Sequence, residues 1–246
     1  MKLLLSISYD GTDYNGWIIQ PKVKTIQGEL TKAISLVTKT NNFKLMGASK
    51  TDSGVHALDQ KVLLEIEFKP ELSRFQRAIN NALPSDIILN SIDFVDDDFS
   101  IRNVKQKQYV YTINDRNTNI FDQRFELNLK DFKIDIKRLQ DILNLFVGKH
   151  DFKLFSGLTL DEQLTINTIR TIDSIKVIDQ DSKIKIIFEA KSFIRYQIRM
   201  IVGASLHCLQ NKRITIEQIK EKLNGIGEKS TIVIDSKGLV LQHITF

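Results

Sequence analysis

Hydrophobic positions along this chain recur with two spacings, every second residue in some stretches and every third or fourth in others. Residues 3–8 read as a strand, Asp10-Gly11-Thr12 and Asn15-Gly16 mark turns, and Thr25 stands as an N-cap ahead of Ile26, Leu30, Ala33, Ile34 and Val37, which have helical spacing. A short strand is expected around Phe43–Met46, then a glycine-containing loop, then a strand in which Val62, Leu64, Ile66 and Phe68 share an inner face. Leu72, Phe75, Ile79 and Leu83 mark a helix stopped by Pro84, and Ile87–Phe94 a strand before the acidic turn Asp96-Asp97-Asp98.

That order is β-α-β-β-α-β, the ferredoxin-like unit. The second half repeats it with larger insertions: a strand at Gln108–Ile113, a helix with Leu139, Ile142, Leu143 and Phe146, and strands at Thr168–Val177 and Lys183–Glu189. A long helix from Phe193 to about Leu209, a shorter one opened by the capping box Thr215-Ile216-Glu217-Gln218, and a strand from Leu239 to Phe246 complete it. The expectation is an α+β protein of two ferredoxin-like domains, 1–103 and 104–246. Each carries helices on one face of an antiparallel sheet, the sheets join side by side, and a cleft between the domains is the natural site.

Composition narrows the classes. With 246 residues, 42% hydrophobic and 26% charged, the chain can bury real cores, and no apolar run approaches a bilayer span. Met1-Lys2-Leu3-Leu4-Leu5 is too short for a signal peptide, so a cytoplasmic location is expected. The single cysteine, Cys208, excludes an intramolecular disulfide and any multi-cysteine metal site. The net charge of +5 permits a polyanionic partner. Lys183 to Arg213 holds seven basic residues against one acid, Glu189, and is the best electrostatic footprint; a solvated face accounts for it about as well.

Several apparent motifs fail on chemistry. Gly225-Ile226-Gly227-Glu228-Lys229-Ser230-Thr231 has glutamate where a phosphate loop needs glycine before its lysine. His207 and Cys208 are helix neighbours that point in different directions. The four histidines lack ligand spacing, so no metal is expected.

The dense signal is Gly47-Ala48-Ser49-Lys50-Thr51-Asp52-Ser53-Gly54-Val55-His56-Ala57, a polar loop between two strands. It resembles the G-R-T-D-[AS]-G-V-H-A loop of the tRNA pseudouridine synthase A family, in which the aspartate is catalytic. Further likenesses follow in the family's order: Tyr9-Asp10-Gly11-Thr12 through Gly16-Trp17, Thr25-Ile26-Gln27-Gly28-Glu29-Leu30, and Ala78 to Ile87 around Leu83-Pro84-Ser85-Asp86. Phe99-Ser100-Ile101-Arg102, Tyr109-Val110-Tyr111, Gly148-Lys149-His150-Asp151-Phe152, Ile169-Arg170-Thr171-Ile172, Ser192 to Gly203 and Gly238-Leu239-Val240-Leu241 complete the set. Three departures stand out. Lys50 replaces arginine, Ser100 and Ile101 replace histidine and alanine, and the stretch from Arg102 to Tyr109 is one residue short. Lysine offers a point charge where arginine offers a planar fork.

The resemblance implies isomerisation of uridine to pseudouridine at positions 38 to 40 of the tRNA anticodon arm, by a homodimer that needs no cofactor. Asp52 is then the catalytic carboxylate, with Arg199 as its cationic partner and Tyr109 stacking on the flipped base. Lys50 holds the target nucleotide through its phosphate, and Leu239 is an apolar wall. Arg102, Lys105, Lys107, Lys191 and Arg195 are expected phosphate contacts. Trp17 and Asp10 are expected to be structural. The rival readings are a non-catalytic tRNA-binding or tRNA-folding protein on the same scaffold, and a synthase with other RNA targets.

Overall fold

A computed structural model describes residues 1–116, 119–130 and 132–246. The chain divides into two compact units, one of Met1–Lys105 with Val240–Phe246, the other of Gln106–Leu239. Both are mixed α+β.

In the first unit, β1 (Lys2–Tyr9), β3 (His56–Glu65) and β4 (Ile87–Val95) form the sheet, with β1 antiparallel to each neighbour. The short β2 (Lys44–Gly47) pairs with the far end of β3. Helix α1 (Ile26–Thr38) therefore crosses from β1 to β2 with β3 lying between them, the split crossover of a ferredoxin-like unit. It begins where its cap residue predicts: the Thr25 side chain accepts from the Gly28 N–H. Helix α2 (Leu72–Ala82) starts at Glu71, whose carboxylate accepts from the Ser73 and Arg74 N–H groups, and stops before Pro84. Leu3, Leu5 and Ile7 of β1 and Val62 and Leu64 of β3 are fully buried, with Ile26, Leu30 and Ile34 of α1. Phe68, expected on the inner face of a longer strand, lies beyond the end of β3, exposed and edge-on to Phe75.

The last strand, β10 (Leu239–Thr245), returns to this unit: Val240 and Leu241 pair in parallel with His56 and Ala57, and Phe246 packs edge-on against Phe99. The two ends of β3 thus have different neighbours, β2 at one and β10 at the other.

The second unit has the strand order β5 (Gln106–Asn114), β9 (Lys183–Ala190), β8 (Ile169–Gln180), β7 (Gly148–Asp151), each antiparallel to the next, with the two-residue β6 (Leu127–Asn128) on β5. Helix α3 (Ile136–Asn144) lies between β6 and β7 in the chain and packs on β8, and α5 (Gln197–Leu209) packs beside it. A short α4 (Leu160–Thr165) opens on a capping box of Thr159 with Glu162, and α6 (Ile216–Leu223) on the predicted box of Thr215 with Gln218. Helix α5 starts four residues later than its periodicity suggests. Tyr196 sits there in the left-handed region at φ 63°, and the buried Gln197 side chain accepts from the Ile194 N–H. Among the described residues, no helix is long and apolar enough to cross a membrane.

Candidate active site

The loop between β2 and β3 carries Lys50 and Asp52, and its shape is set by the segment that follows β1. The Trp17 N–H donates to the Thr51 carbonyl (3.0 Å), the Gly54 N–H to the Tyr14 carbonyl (3.2 Å), and the Ser53 hydroxyl to that same carbonyl (3.1 Å). Tyr9 and Thr51 hydroxyl oxygens lie 2.8 Å apart beneath the loop. Its first side is clamped by Gln60, which accepts from the Ser49 N–H and donates to the Ser49 carbonyl. Inside the loop, the Val55 N–H donates to the Asp52 carbonyl at 3.2 Å. Asp52 is half-buried and Lys50 exposed.

Two glycines permit this contact. A Cβ on Gly16, which sits at φ 82°, would come within 2.7 Å of the Thr51 carbonyl oxygen. One on Gly47 would lie 2.5 Å from the indole of Trp17, the only tryptophan, which is buried flat against the loop's entry. Trp17 is therefore a structural support, as expected. Asp10 accepts from the Thr12 N–H in a turn and also lies 3.1 Å from Nδ1 of the buried His56, which accepts from the Gly11 N–H. The likeness around Asp86 acquires a physical meaning here. Its carboxylate accepts from the Tyr14 hydroxyl at 2.5 Å, and burial together with that carboxylate holds the phenol above its ordinary range.

In the second unit Tyr109 lies on β5, buried and edge-on to Phe193 with ring centroids 5.4 Å apart. Arg199, in the first turn of α5, donates from Nε to the Ile234 carbonyl (2.8 Å), and its guanidinium lies 5.1 Å from the ring centroid of Tyr196. The chain from Ser230 to Leu239 is strung on these groups. The Ile234 N–H donates back to the Arg199 carbonyl (3.3 Å), and the buried Tyr111 hydroxyl donates to the Asp235 carbonyl (2.8 Å). Leu239, at the end of that chain, is buried.

The expected phosphate contacts fall into three kinds. Arg102, Lys105 and Lys191 are exposed. Arg195 is engaged within its own unit: its guanidinium donates to both Glu162 carboxylate oxygens (3.0 and 2.5 Å) and to the Gly157 carbonyl. That pairing, with the Thr159 N–H that donates to the same carboxylate, holds the Glu162 carboxyl at about 2. Lys107 is buried on the same face of β5 as Tyr109, and burial, with the Arg170 charge added, lowers its ammonium to about 8.

The basic stretch from Lys183 to Arg213 proves to be no single stripe. Lys183 pairs with Asp122 and Glu126 at 2.8 and 3.0 Å, Lys185 with Asp181, and Arg195 with Glu162. Three of its seven cations thus meet acids outside the stretch, which the sequence window could not display. Arg170, by contrast, is half-buried on its strand, where an arginine usually faces water.

A family model described as tRNA pseudouridine synthase matches residues 142–246. The chain is 55% identical over 247 residues to a tRNA pseudouridine synthase A of Mesoplasma florum, covering 100% of this chain and 98% of that one. It is 53% identical to the protein of the same name from Mycoplasma mycoides subsp. mycoides, over 99% of this chain and 97% of that one. An archaeal box H/ACA Nop10-Cbf5 complex aligns over 95% of this chain and 58% of that one, with 11% identity and a TM-score of 0.36, a likeness too slight to argue from.

Proposed function

This chain belongs to the tRNA pseudouridine synthase A family, and from that premise we propose that it isomerises uridine to pseudouridine in the anticodon arm of tRNA, at positions 38 to 40, with Asp52 as the catalytic carboxylate. That it is an isomerase making pseudouridine follows from the family. The residue roles and the target positions are our reading.

The reaction breaks the N1–C1′ glycosidic bond, turns the base and joins C5 to C1′, so no atom is gained or lost. The target must leave its stack, and an anionic group must meet the sugar or base before water does. Asp52 supplies that anion, either adding to C1′ or removing a sugar proton. Arg199 favours its ionised form, Tyr109 stacks on the everted uracil and assists loss of the C5 proton, and Leu239 offers the base an apolar wall. Lys50, with Arg102, Lys105, Lys191 and Arg195, holds phosphates as point or forked charges. We place the enzyme in the cytoplasm as a homodimer, on the family's example.

The observation that carries this reading is the loop that holds Asp52: its backbone is fixed on both sides by the 9–17 segment and by Gln60, so the carboxylate is presented by a rigid turn. Unmodified tRNA incubated with the protein and mapped by carbodiimide adduct stops should yield pseudouridine at positions 38 to 40. Asp52→Ala should reduce the rate by at least about 10²–10⁴-fold. Activity surviving in that variant would remove Asp52 from the chemistry, and product only at other positions would remove the anticodon-arm assignment.

A further inference from the structure

The backbone is anomalous where α5 begins. A residue just before a helix ordinarily sits in the extended region and caps the helix with a short polar side chain. Tyr196 is instead left-handed at φ 63°, a region unfavourable for an aromatic residue, and its side chain makes no capping bond. Its carbonyl still accepts from the Met200 N–H at 2.9 Å. Asparagine or glycine would meet the same backbone demand with less strain.

The neighbourhood is shaped around the ring. A Cβ on Gly157 would lie 2.4 Å from the Tyr196 Cδ2, and the three atoms nearest that Cβ all belong to the ring. Gly157 is pinned there by Arg195, whose carbonyl accepts from the Gly157 N–H (2.7 Å) and whose Nε donates to the Gly157 carbonyl (3.0 Å). In the first turn of α5 the half-buried Arg199 lays its guanidinium over the ring, 5.1 Å from the centroid. The same group donates from Nε to the Ile234 carbonyl at 2.8 Å. One hydrogen bond at Nε leaves the plane of the guanidinium free to rotate about that bond, whereas an aromatic face beneath it fixes the plane.

We propose that Tyr196 is a positioning residue for the isomerisation: its left-handed backbone holds the ring under Arg199 and thereby sets the plane in which the guanidinium is presented. The strain at Tyr196 is then retained for what the ring does, not for what the helix start requires. This role rests on the reading of Arg199 as the cation that favours ionised Asp52, whereas the hold of the ring on Arg199 stands on the geometry within the second unit.

The test is pseudouridine formation by the full-length protein on an unmodified tRNA transcript, with thermal midpoints measured alongside. Tyr196→Asn suits the left-handed backbone but removes the ring. It should lower kcat about tenfold with little change in KM, while its midpoint stays within about 3 °C of the wild type or rises above it. Tyr196→Phe keeps the ring and should retain most of kcat. In an Arg199→Lys background, which has no guanidinium plane to set, Tyr196→Asn should cost almost nothing further. A folded Tyr196→Asn with wild-type kcat, or an equal tenfold loss in both backgrounds, would overturn the proposal.

A second readout needs no catalysis. The Nε–H resonance of Arg199 in ¹⁵N-labelled protein, identified by its loss in Arg199→Lys, should lie upfield under the ring current in the wild type and in Tyr196→Phe. It should move downfield in Tyr196→Asn, and a resonance that does not move would overturn the hold of the ring on Arg199. A wild type that binds tRNA yet makes no pseudouridine would overturn the proposed function, and the resonance would still decide whether Tyr196 orients Arg199.

Discussion

Lys107 puts a measurable cost on the native state. Its ammonium falls from the usual 10.5 to about 8 in the folded protein, chiefly by burial and then by the Arg170 charge. Below pH 8 it is protonated both folded and unfolded, and the folded state bears the whole penalty. From pH 8 to 10.5 the unfolded chain binds more protons than the native one, so stability attributable to this group rises with pH, by about 3 kcal/mol in all. Lys107→Met should therefore be the more stable protein at pH 7 in urea melts, with its advantage shrinking by pH 10.5; a constant gap would mean the ammonium stays hydrated. Asp52 illustrates the opposite end of legibility. Its loop is a contiguous word of eleven residues, and its neighbours Gly47, Gly54 and His56 are spelled out beside it. The anchoring of Arg170 Nη1 on the Asn167 and Ile169 carbonyls is not spelled anywhere, since it depends on how the chain enters β8.

At the level of elements, local signals were readable and non-local ones were not. Thr25 and Thr215 mark helix starts because a cap is satisfied by N–H groups within the next three residues. The start of α5 eluded periodicity because the turn at Tyr196 is decided by Gly157, forty residues earlier in the sequence or nearly so: a Cβ there would sit 2.4 Å from the Tyr196 ring. The Gly157 N–H also donates to the Arg195 carbonyl. Glu162 ties the same region together, capping α4 through Thr159 and pairing with Arg195. Glutamine serves a capping box as well as glutamate does, so Glu162→Gln releases the Arg195 charge while sparing the helix. Its thermal midpoint should barely move, since exposed ion pairs contribute little. If Arg195 holds RNA phosphate, tRNA affinity should rise severalfold at low salt, and the gain should vanish at high salt. Unchanged affinity at low salt would separate Arg195 from the RNA.

For the molecule as a whole, the β-α-β-β-α-β order was legible in the first unit because each element is short, regularly patterned and closed by a turn residue. The allegiance of β10 was not, since its parallel pairing of Val240 and Leu241 with His56 and Ala57 leaves no periodic trace. That pairing has a consequence for how the protein matures. Pairing the first unit's last strand across an unfolded second unit carries a loop-closure cost that compaction of the second unit reduces, so folding of the second unit favours completion of the first. Trp17, the sole indole, reports on the first unit alone. Thinning the second unit's interior, as in Ile186→Val, should therefore slow the final phase of Trp17 fluorescence recovery in refolding, while an equal loss at exposed Leu164 leaves it unaltered. A fault in one half would then be read as tardiness in the other, in residues that the substitution never touched.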